Sequence, residues 1–129
     1  MAITKSMSGN DTTSESTNVI GKRAEEKAAR FLEKRGFSVL TRNFCCRGGE
    51  IDLVCRDGKA LVFVEVRLRR NSAFGGAGMS ITATKQRRII LAAQHYLVAH
   101  AKTDSDCRFD CILLDGETIE WIRDAFSAE

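Results

Sequence analysis

The alternation of hydrophobic and polar positions along this chain predicts seven secondary-structure elements. Apolar residues at helical spacing predict two amphipathic helices, and short runs rich in Val, Ile and Phe predict five strands. In chain order these are a helix at 19–35, strands at 37–44, 50–56 and 59–69, a helix from Thr82 or Thr84 to about Ala101, and strands at 107–115 and 118–123. The order α-β-β-β-α-β-β predicts an α/β fold in which helices flank a mixed sheet.

The second and third predicted strands carry charged side chains inside otherwise apolar runs. Residues 49–54 and 61–67 are short and rich in apolar side chains, as buried strands are. The charged residues inside them are Glu50, Asp52, Glu65 and Arg67. A charge inside a buried strand is costly unless it is paired or bound to a metal ion.

The turn between these two strands decides whether the charged residues converge. Asp57-Gly58 is a typical hairpin signal, and a turn at these residues places Asp52 opposite Phe63 and Glu50 opposite Glu65. Asp52 and Glu65 are then diagonal neighbours, with Cβ atoms about 7 Å apart. Alternation along the strands places Glu50, Asp52, Glu65 and Arg67 on one face, and Ile51, Leu53, Val62, Val64 and Val66 on the other.

Two carboxylates at this separation suit one divalent cation. Mg²⁺ typically binds one or two carboxylates and keeps its other positions for water and phosphate oxygens. The sequence therefore predicts a site for Mg²⁺ or Mn²⁺ at Asp52 and Glu65. The alternative is a half-exposed sheet face with ordinary charges, although like charges placed together without a cation should destabilise the strand pair.

The charge of the chain is unevenly distributed. Its net charge is +3, but residues 19–102 hold 17 Lys and Arg against 7 Asp and Glu. A basic segment around an acidic metal-like site suits a polyanion such as nucleic acid. Basic side chains at the start of the second helix oppose the helix dipole, which indicates a bound anion or else a tolerated surface cluster. The predicted nucleic-acid contacts are Lys85, Arg87, Arg88, Arg69 and Arg70.

The remaining composition bounds the compartment and the domain. Residues 1–18 are polar and lack the apolar core of a signal peptide, so we predict a disordered tail before a single domain at 19–129. No apolar run approaches the length of a membrane span, and the protein is predicted to be cytoplasmic. The five cysteines contain no CxxC motif. A zinc site built on Cys107 and Cys111 with Cys45 or Cys46 is an alternative to buried free thiols.

Taken together, these motifs resemble the YraN-type family of small bacterial proteins, and more broadly the restriction-endonuclease-like, PD-(D/E)xK, nuclease fold. The resemblance covers about residues 20–126. The matching pieces are Gly21-x-x-x-Glu25-x-x-Ala28, Gly49-Glu50-Ile51-Asp52-Leu53, Phe63-Val64-Glu65-Val66-Arg67, Phe74-Gly75, Lys85, Arg108-Phe109-Asp110 and Trp121-Ile122-x-x-Ala125-Phe126.

The resemblance implies roles for particular residues. Asp52 and Glu65 would ligate Mg²⁺, and Glu50 and Glu25 would complete the metal's shell directly or through water. Glu25 lies where the similar archaeal Holliday-junction resolvases carry an acid on the first helix. Arg67 lies where nucleases of this fold usually place a lysine, which is a departure from the pattern. Arginine stays protonated, so Arg67 could stabilise a phosphate but is a poor general base.

The function expected from the resemblance is metal-dependent hydrolysis of phosphodiester bonds. The partner is a nucleic acid with DNA as the first candidate, and branched DNA is among the candidate substrates. A non-catalytic nucleic-acid-binding module on the same fold is the alternative, and Arg67 favours it. A redox or zinc protein built on the cysteines is a third reading. The sequence distinguishes neither DNA from RNA nor one oligomeric state from another.

Overall fold

The computed structural model describes residues 12–68, 81–102 and 104–128, in which the chain forms two helices and five strands. The elements are α1 (Thr12–Glu33), β1 (Ser38–Cys46), β2 (Gly49–Asp57), β3 (Ala60–Leu68), α2 (Ala83–Ala99), β4 (Cys107–Asp115) and β5 (Thr118–Phe126). This order confirms the predicted mixed α/β class. No helix in the described ranges combines the length and the apolar composition that crossing a membrane requires.

The five strands form one mixed sheet in the order β1-β2-β3-β4-β5. Strands β1, β2 and β3 are an antiparallel meander, and β5 is antiparallel to β4. β4 pairs parallel with β3, because the chain returns through α2 before it re-enters the sheet. β3 therefore lies at the centre of the sheet.

Both faces of the sheet are covered, which gives three layers. One core cluster packs α2 against the sheet and includes Val54, Phe63 and Ile89. The other packs α1 against the opposite face and includes Leu32, Val62 and Val64. Consecutive residues of β3 are buried because a strand covered on both faces places apolar side chains on each side.

The two helices differ in how closely their starts match the prediction. α1 begins at Thr12 rather than at the predicted Val19, so its first residues fall within the segment predicted to be a disordered tail. The rest of that segment, residues 1–11, lies outside the described residues. α2 is N-capped by Thr82, as one of the two predicted starts requires, and the Thr82 hydroxyl accepts a hydrogen bond from the Lys85 amide at 3.1 Å.

The hairpin turn between β2 and β3 lies one residue beyond its predicted place. Asp57 pairs with Ala60, so the turn is Gly58-Lys59 rather than Asp57-Gly58. Gly58 has a φ of 63°, a conformation that glycine adopts without a steric cost. The register consequently shifts by two residues, and a shift of two keeps every side chain on its own face of the sheet.

One residue departs from the predicted alternation. Ile51 was expected on the face of Leu53, but it packs in the α2-side core, whereas Leu53 packs in the α1-side core. The irregularity coincides with Asn43 on β1, which lies between the pairs formed by Ile51 and Leu53 and has a φ of 54°. Strict alternation therefore ends at Asp52.

Candidate functional site

Asp52 and Glu65 come together where β2 and β3 separate. The last backbone pair between these strands is Leu53 with Val64. Beyond it, Asp52 Oδ2 accepts a hydrogen bond from the Val66 amide at 2.8 Å, so a side chain replaces the next rung of the ladder. The Asp52 carboxyl is also within hydrogen-bonding reach of Glu65. The two acids are direct neighbours rather than the predicted diagonal pair.

The environment of this pair opposes two full negative charges. Glu65 is only 7% exposed, and Asp52 is partly buried. Burial, followed by the negative charge of Glu65, raises the pKa of Asp52 to about 7, while the Val66 amide and the Lys85 ammonium oppose the rise. Near neutral pH the pair therefore either retains a proton or needs a nearby cation.

Lys85 supplies one such cation from the first turn of α2. Its Nζ lies 3.4 Å from Glu65 Oε2, and its side chain is 38% exposed. The Thr82 cap fixes the backbone of Lys85 at the helix start, beside β3. The sequence predicted Lys85 as a nucleic-acid contact, and the structure places it against the acidic pair.

Arg67 lies two residues beyond Glu65 on β3 and lines the same open groove as Lys85. The groove is continued by the side chain of Thr82. Burial raises the pKa of the nearby Cys111 thiol to about 12; the Glu65 charge adds to this rise and the Arg67 charge opposes it. Arg67 therefore adds positive charge to the side of the sheet on which the acidic pair lies.

Glu25 and Glu50 surround the pair without joining it. Glu25 accepts a hydrogen bond from Asn43 Nδ2 at 3.2 Å. Burial raises the pKa of Glu25, and the charges of Asp52 and Glu50 add to the rise although the Asn43 hydrogen bond opposes it. Within the part of the chain that the structure describes, no three His, Cys, Asp or Glu side chains are placed to hold a metal ion together.

The donor set for a metal ion is therefore a pair of carboxylates. This set fits Mg²⁺ or Mn²⁺, because such ions need only one or two carboxylates when water and phosphate supply the other positions. Glu50 is exposed and lines a neighbouring groove with Lys85 and Arg88. Glu25 belongs to the electrostatic surroundings of Asp52.

Besides Lys85, which contacts Glu65, the predicted nucleic-acid contacts fall into three groups. Arg88 is exposed and lines the groove beside Glu50. Arg87 is also exposed, and its guanidinium donates a hydrogen bond to Thr84 Oγ1 at 3.2 Å. Arg69 and Arg70 lie outside the described residues, as does the Phe74-Gly75 piece of the resemblance.

Two residues to which the sequence analysis gave no role of their own shape this site. Gly49 lies so close to the Arg88 carbonyl oxygen that a Cβ at this position would collide with it. This contact holds the start of β2 against the start of α2. Asn43 has a left-handed φ and holds Glu25 by a hydrogen bond. The Gly48-Gly49 doublet was a readable signal of close approach, whereas nothing in the sequence marks Asn43.

The cysteines do not form a second site. Cys55 and Cys111 are buried and Cys45 and Cys107 are exposed, so they do not share an environment. Burial raises the pKa of Cys55 to about 12, which makes it an unreactive thiol. The zinc alternative finds no support, because no ligand cluster that includes cysteine occurs among residues 12–68, 81–102 and 104–128.

Comparison with known proteins places this site in a family context. A family model described as "Uncharacterised protein family UPF0102" matches residues 24–114, which include both acidic strands and α2. A UPF0102 protein of Dechloromonas aromatica is 64% identical over 115 residues, covering 89% of this chain and 94% of the relative. UPF0102 proteins of Ralstonia pickettii and Methylobacillus flagellatus are 50% and 52% identical, covering 88% and 84% of this chain and 94% and 97% of their own lengths.

Proposed function

Because the chain belongs to the UPF0102 family, whose description states no activity, we propose its function from the site: a nucleic-acid-binding protein that hydrolyses phosphodiester bonds with a divalent metal ion. The predicted membership of a family of small bacterial proteins is confirmed. The restriction-endonuclease-like fold and the similarity to Holliday-junction resolvases are part of the proposal. They are supported by the order of elements and by two acids on neighbouring strands of a mixed sheet.

The observation that carries the proposal is the adjacency of a buried carboxylate, Glu65, and a partly buried one, Asp52. Asp52 and Glu65 are within hydrogen-bonding reach of each other, and burial raises the pKa of Asp52 to about 7. A buried like-charge pair destabilises a fold that gains nothing from it, and such pairs are frequent at functional sites. A divalent cation would remove the repulsion.

The residues around the pair have complementary roles in this proposal. Asp52 and Glu65 would hold Mg²⁺ or Mn²⁺. When bound, such an ion lowers the pKa of an attacking water and offsets the charge that develops on the phosphate. Arginine is a poor general base, so Arg67 would stabilise the phosphate rather than accept a proton. Lys85 and Arg88 would contact the backbone beside the scissile bond.

The proposed substrate is a nucleic acid, with DNA as the first candidate and branched DNA among the forms to be tested. The support is electrostatic, since the exposed Arg87 and Arg88 surround a groove that also holds Lys85. We also propose a cytoplasmic location, for which five free cysteines are the support.

A cleavage screen tests the catalytic proposal. Purified protein is incubated with labelled single-stranded, duplex, flapped and four-way DNA and with the matching RNAs, each with Mg²⁺, Mn²⁺ or EDTA. We expect cleavage that requires the metal and is lost in Asp52→Asn and in Glu65→Gln. Equal cleavage by Asp52→Asn would assign the activity to a contaminant or to another site.

The second candidate is a nucleic-acid-binding module without catalysis, and Arg67 is the observation that favours it. Both candidates require binding, whose affinity should fall with salt at a log–log slope of about −0.9 per duplex phosphate contact. Arg88→Ala should lower the magnitude of this slope by about the value of one phosphate contact, whatever the sequence of the nucleic acid. Arg56, which is exposed near the hairpin turn, is the matched control. Binding without any cleavage would select the second candidate.

A further inference from the structure

The ion pair between Lys85 and Glu65 suggests a role for Lys85 beyond contacting phosphate. We propose that the Lys85 ammonium is the resident counter-cation of the Asp52–Glu65 pair and that it competes with the divalent metal for this pair. Metal entry would then release Lys85 to a nucleic-acid phosphate. The inference rests on the proposed function, because it assumes that the pair is the metal site.

The first support is the position of the ammonium group. Lys85 Nζ lies 3.4 Å from Glu65 Oε2, in direct contact with a carboxylate that water barely reaches. Its positive charge also opposes the rise in the pKa of Asp52, whose leading cause is burial. One ammonium therefore partly compensates both acids, as a metal ion between them would.

The second support is that the two sides of this contact are held differently by the fold. Glu65 lies in the central strand of the sheet, paired with β4, and is fixed in place. Lys85 reaches it from outside on a long flexible stem that is 38% exposed. A Mg²⁺ ion held by the same carboxylates would repel the ammonium. Lys85 can move into the open groove lined by Arg67 and Thr82.

The third support is chemical. β3 contains no lysine, and Arg67 is its one basic residue, so this strand supplies no lysine to the pair. α2 supplies one instead, because the Thr82 cap fixes the first turn of this helix beside β3. Lys85 is thus a positioning residue for the acids in the metal-free protein and a phosphate contact in the loaded one.

Metal binding by the full chain tests the competition. Mn²⁺ is titrated calorimetrically into wild type, Lys85→Met, Lys85→Arg and Arg88→Met, each checked for folding by its thermal transition. Lys85→Met should bind Mn²⁺ at least about fivefold more tightly than wild type, the lower end of typical coupling between sites. Lys85→Arg should stay near wild type because it keeps the charge. Arg88→Met is the matched control on the same helix turn. Its affinity for Mn²⁺ should differ from that of wild type by less than about twofold.

A second readout follows the released ammonium. Affinity for a labelled duplex is measured with Mn²⁺ and with EDTA, and the duplex is checked for cleavage afterwards. Lys85→Met should weaken binding with Mn²⁺ but not with EDTA, whereas Arg88→Met should weaken it equally in both conditions. This difference separates competition from a general loss of positive charge.

The outcomes separate the inference from the proposed function. If wild type binds Mn²⁺ but Lys85→Met binds it equally or more weakly, the competition is refuted and the metal site stands. If neither wild type nor Lys85→Met binds Mn²⁺, the proposed metal site falls and the competition falls with it. If only Lys85→Met binds Mn²⁺, Lys85 excludes the ion, which supports the competition and overturns metal-dependent catalysis in the wild-type protein.

Discussion

Asp110 and Asp52 are both carboxylates within the same sheet, on opposite faces and almost level with each other. Asp110 is fully buried on the α1 side of the sheet, and its two oxygens accept four hydrogen bonds. Two come from the Arg108 guanidinium, one from Trp121 Nε1 and one from the Asp124 amide, at 2.9 to 3.1 Å. Every charge and lone pair of Asp110 is satisfied by the fold itself.

Asp52 has a poorer set of partners. It accepts a hydrogen bond from the Val66 amide, has a second carboxylate beside it, and feels the positive charge of Lys85, whose ammonium contacts Glu65. A buried charge that the fold satisfies completely is a structural device, whereas one left beside a like charge requires a ligand or a proton. This difference between the two aspartates is why we propose a functional role for Asp52 and a structural one for Asp110.

The strongest challenge to this comparison is the effect of substitution on stability. Asp110→Asn replaces an acceptor by an amide that clashes with the donors around it, so the free energy of unfolding should fall by about 3 kcal/mol. Asp52→Asn removes a repulsion and should leave metal-free stability unchanged or slightly increased. Urea denaturation of both variants at pH 8 in EDTA measures the difference. Equal losses would mean that Asp52 is also structural.

Divalent metal should stabilise one aspartate's site and not the other. Mg²⁺ or Mn²⁺ at 100 times its Kd should raise the free energy of unfolding by about 2.7 kcal/mol, because it binds the folded chain. Asp52→Asn should abolish this increment, since the pair then loses one ligand. Arg56→Ala, a surface variant that serves as the control, should keep the full stabilisation by metal. Thermal melting with and without the metal measures the increment. If Asp52→Asn keeps the full increment, the cation binds elsewhere.

The pH dependence of stability should carry the signature of Asp52. Its pKa in the folded protein is raised to about 7, above the ordinary value near 4, so the folded state holds the proton more tightly than the unfolded chain. The contribution is therefore largest below pH 4 and is lost as pH rises to about 7, at up to about 1.4 kcal/mol per pH unit.

Subtracting the profile of Asp52→Asn from that of wild type isolates this contribution. The measurement is urea denaturation in EDTA from pH 4 to pH 8, because bound metal would favour the ionised pair and hide the slope. A difference profile that is flat, or that rises with pH, would show that the folded protein does not raise the pKa of Asp52.

The sequence predicted the faces of the hairpin for a reason that tolerates a small error. The turn was misplaced by one residue, which shifted the register by two, and a two-residue shift leaves the faces unchanged. Asp57-Gly58 and Gly58-Lys59 both place glycine in the turn, so local propensity does not choose between them. The pairing of β2 with β1 and of β3 with β4 makes that choice.

The contacts that define the site could not be predicted from the pattern of residues in the sequence. The hydrogen bond from the Val66 amide to Asp52 exists because the two strands separate there, and Lys85 reaches Glu65 because α2 packs on this face of the sheet, mainly over β2. Both depend on tertiary packing. Asp110 is different, since it is a charge inside an apolar strand, and the rule that singled out the hairpin acids applies to it equally.

The smallest expected effect on stability concerns Asp57, which lies at the exposed edge of the hydrogen-bond network around Asp110. Asp57 Oδ2 lies 3.6 Å from Arg108 Nη1 and 4.0 Å from Arg123 Nη2, and its side chain is 38% exposed. Asp57→Asn should lower the free energy of unfolding by less than about 1 kcal/mol, because water and salt screen exposed ion pairs. In 1 M salt the loss should shrink further, whereas the loss in Asp110→Asn should persist because buried interactions are screened much less.

Glu117→Gln is the matched control, since Glu117 meets Lys27 at 4.0 Å on the open surface and should contribute almost nothing. Urea denaturation in low and high salt ranks the three variants. If Asp57→Asn costs as much as Asp110→Asn in both salts, Arg108 is held in place from the exposed edge rather than by Asp110. Asp110 would then depend on an exposed partner, and its contrast with Asp52 would be one of degree.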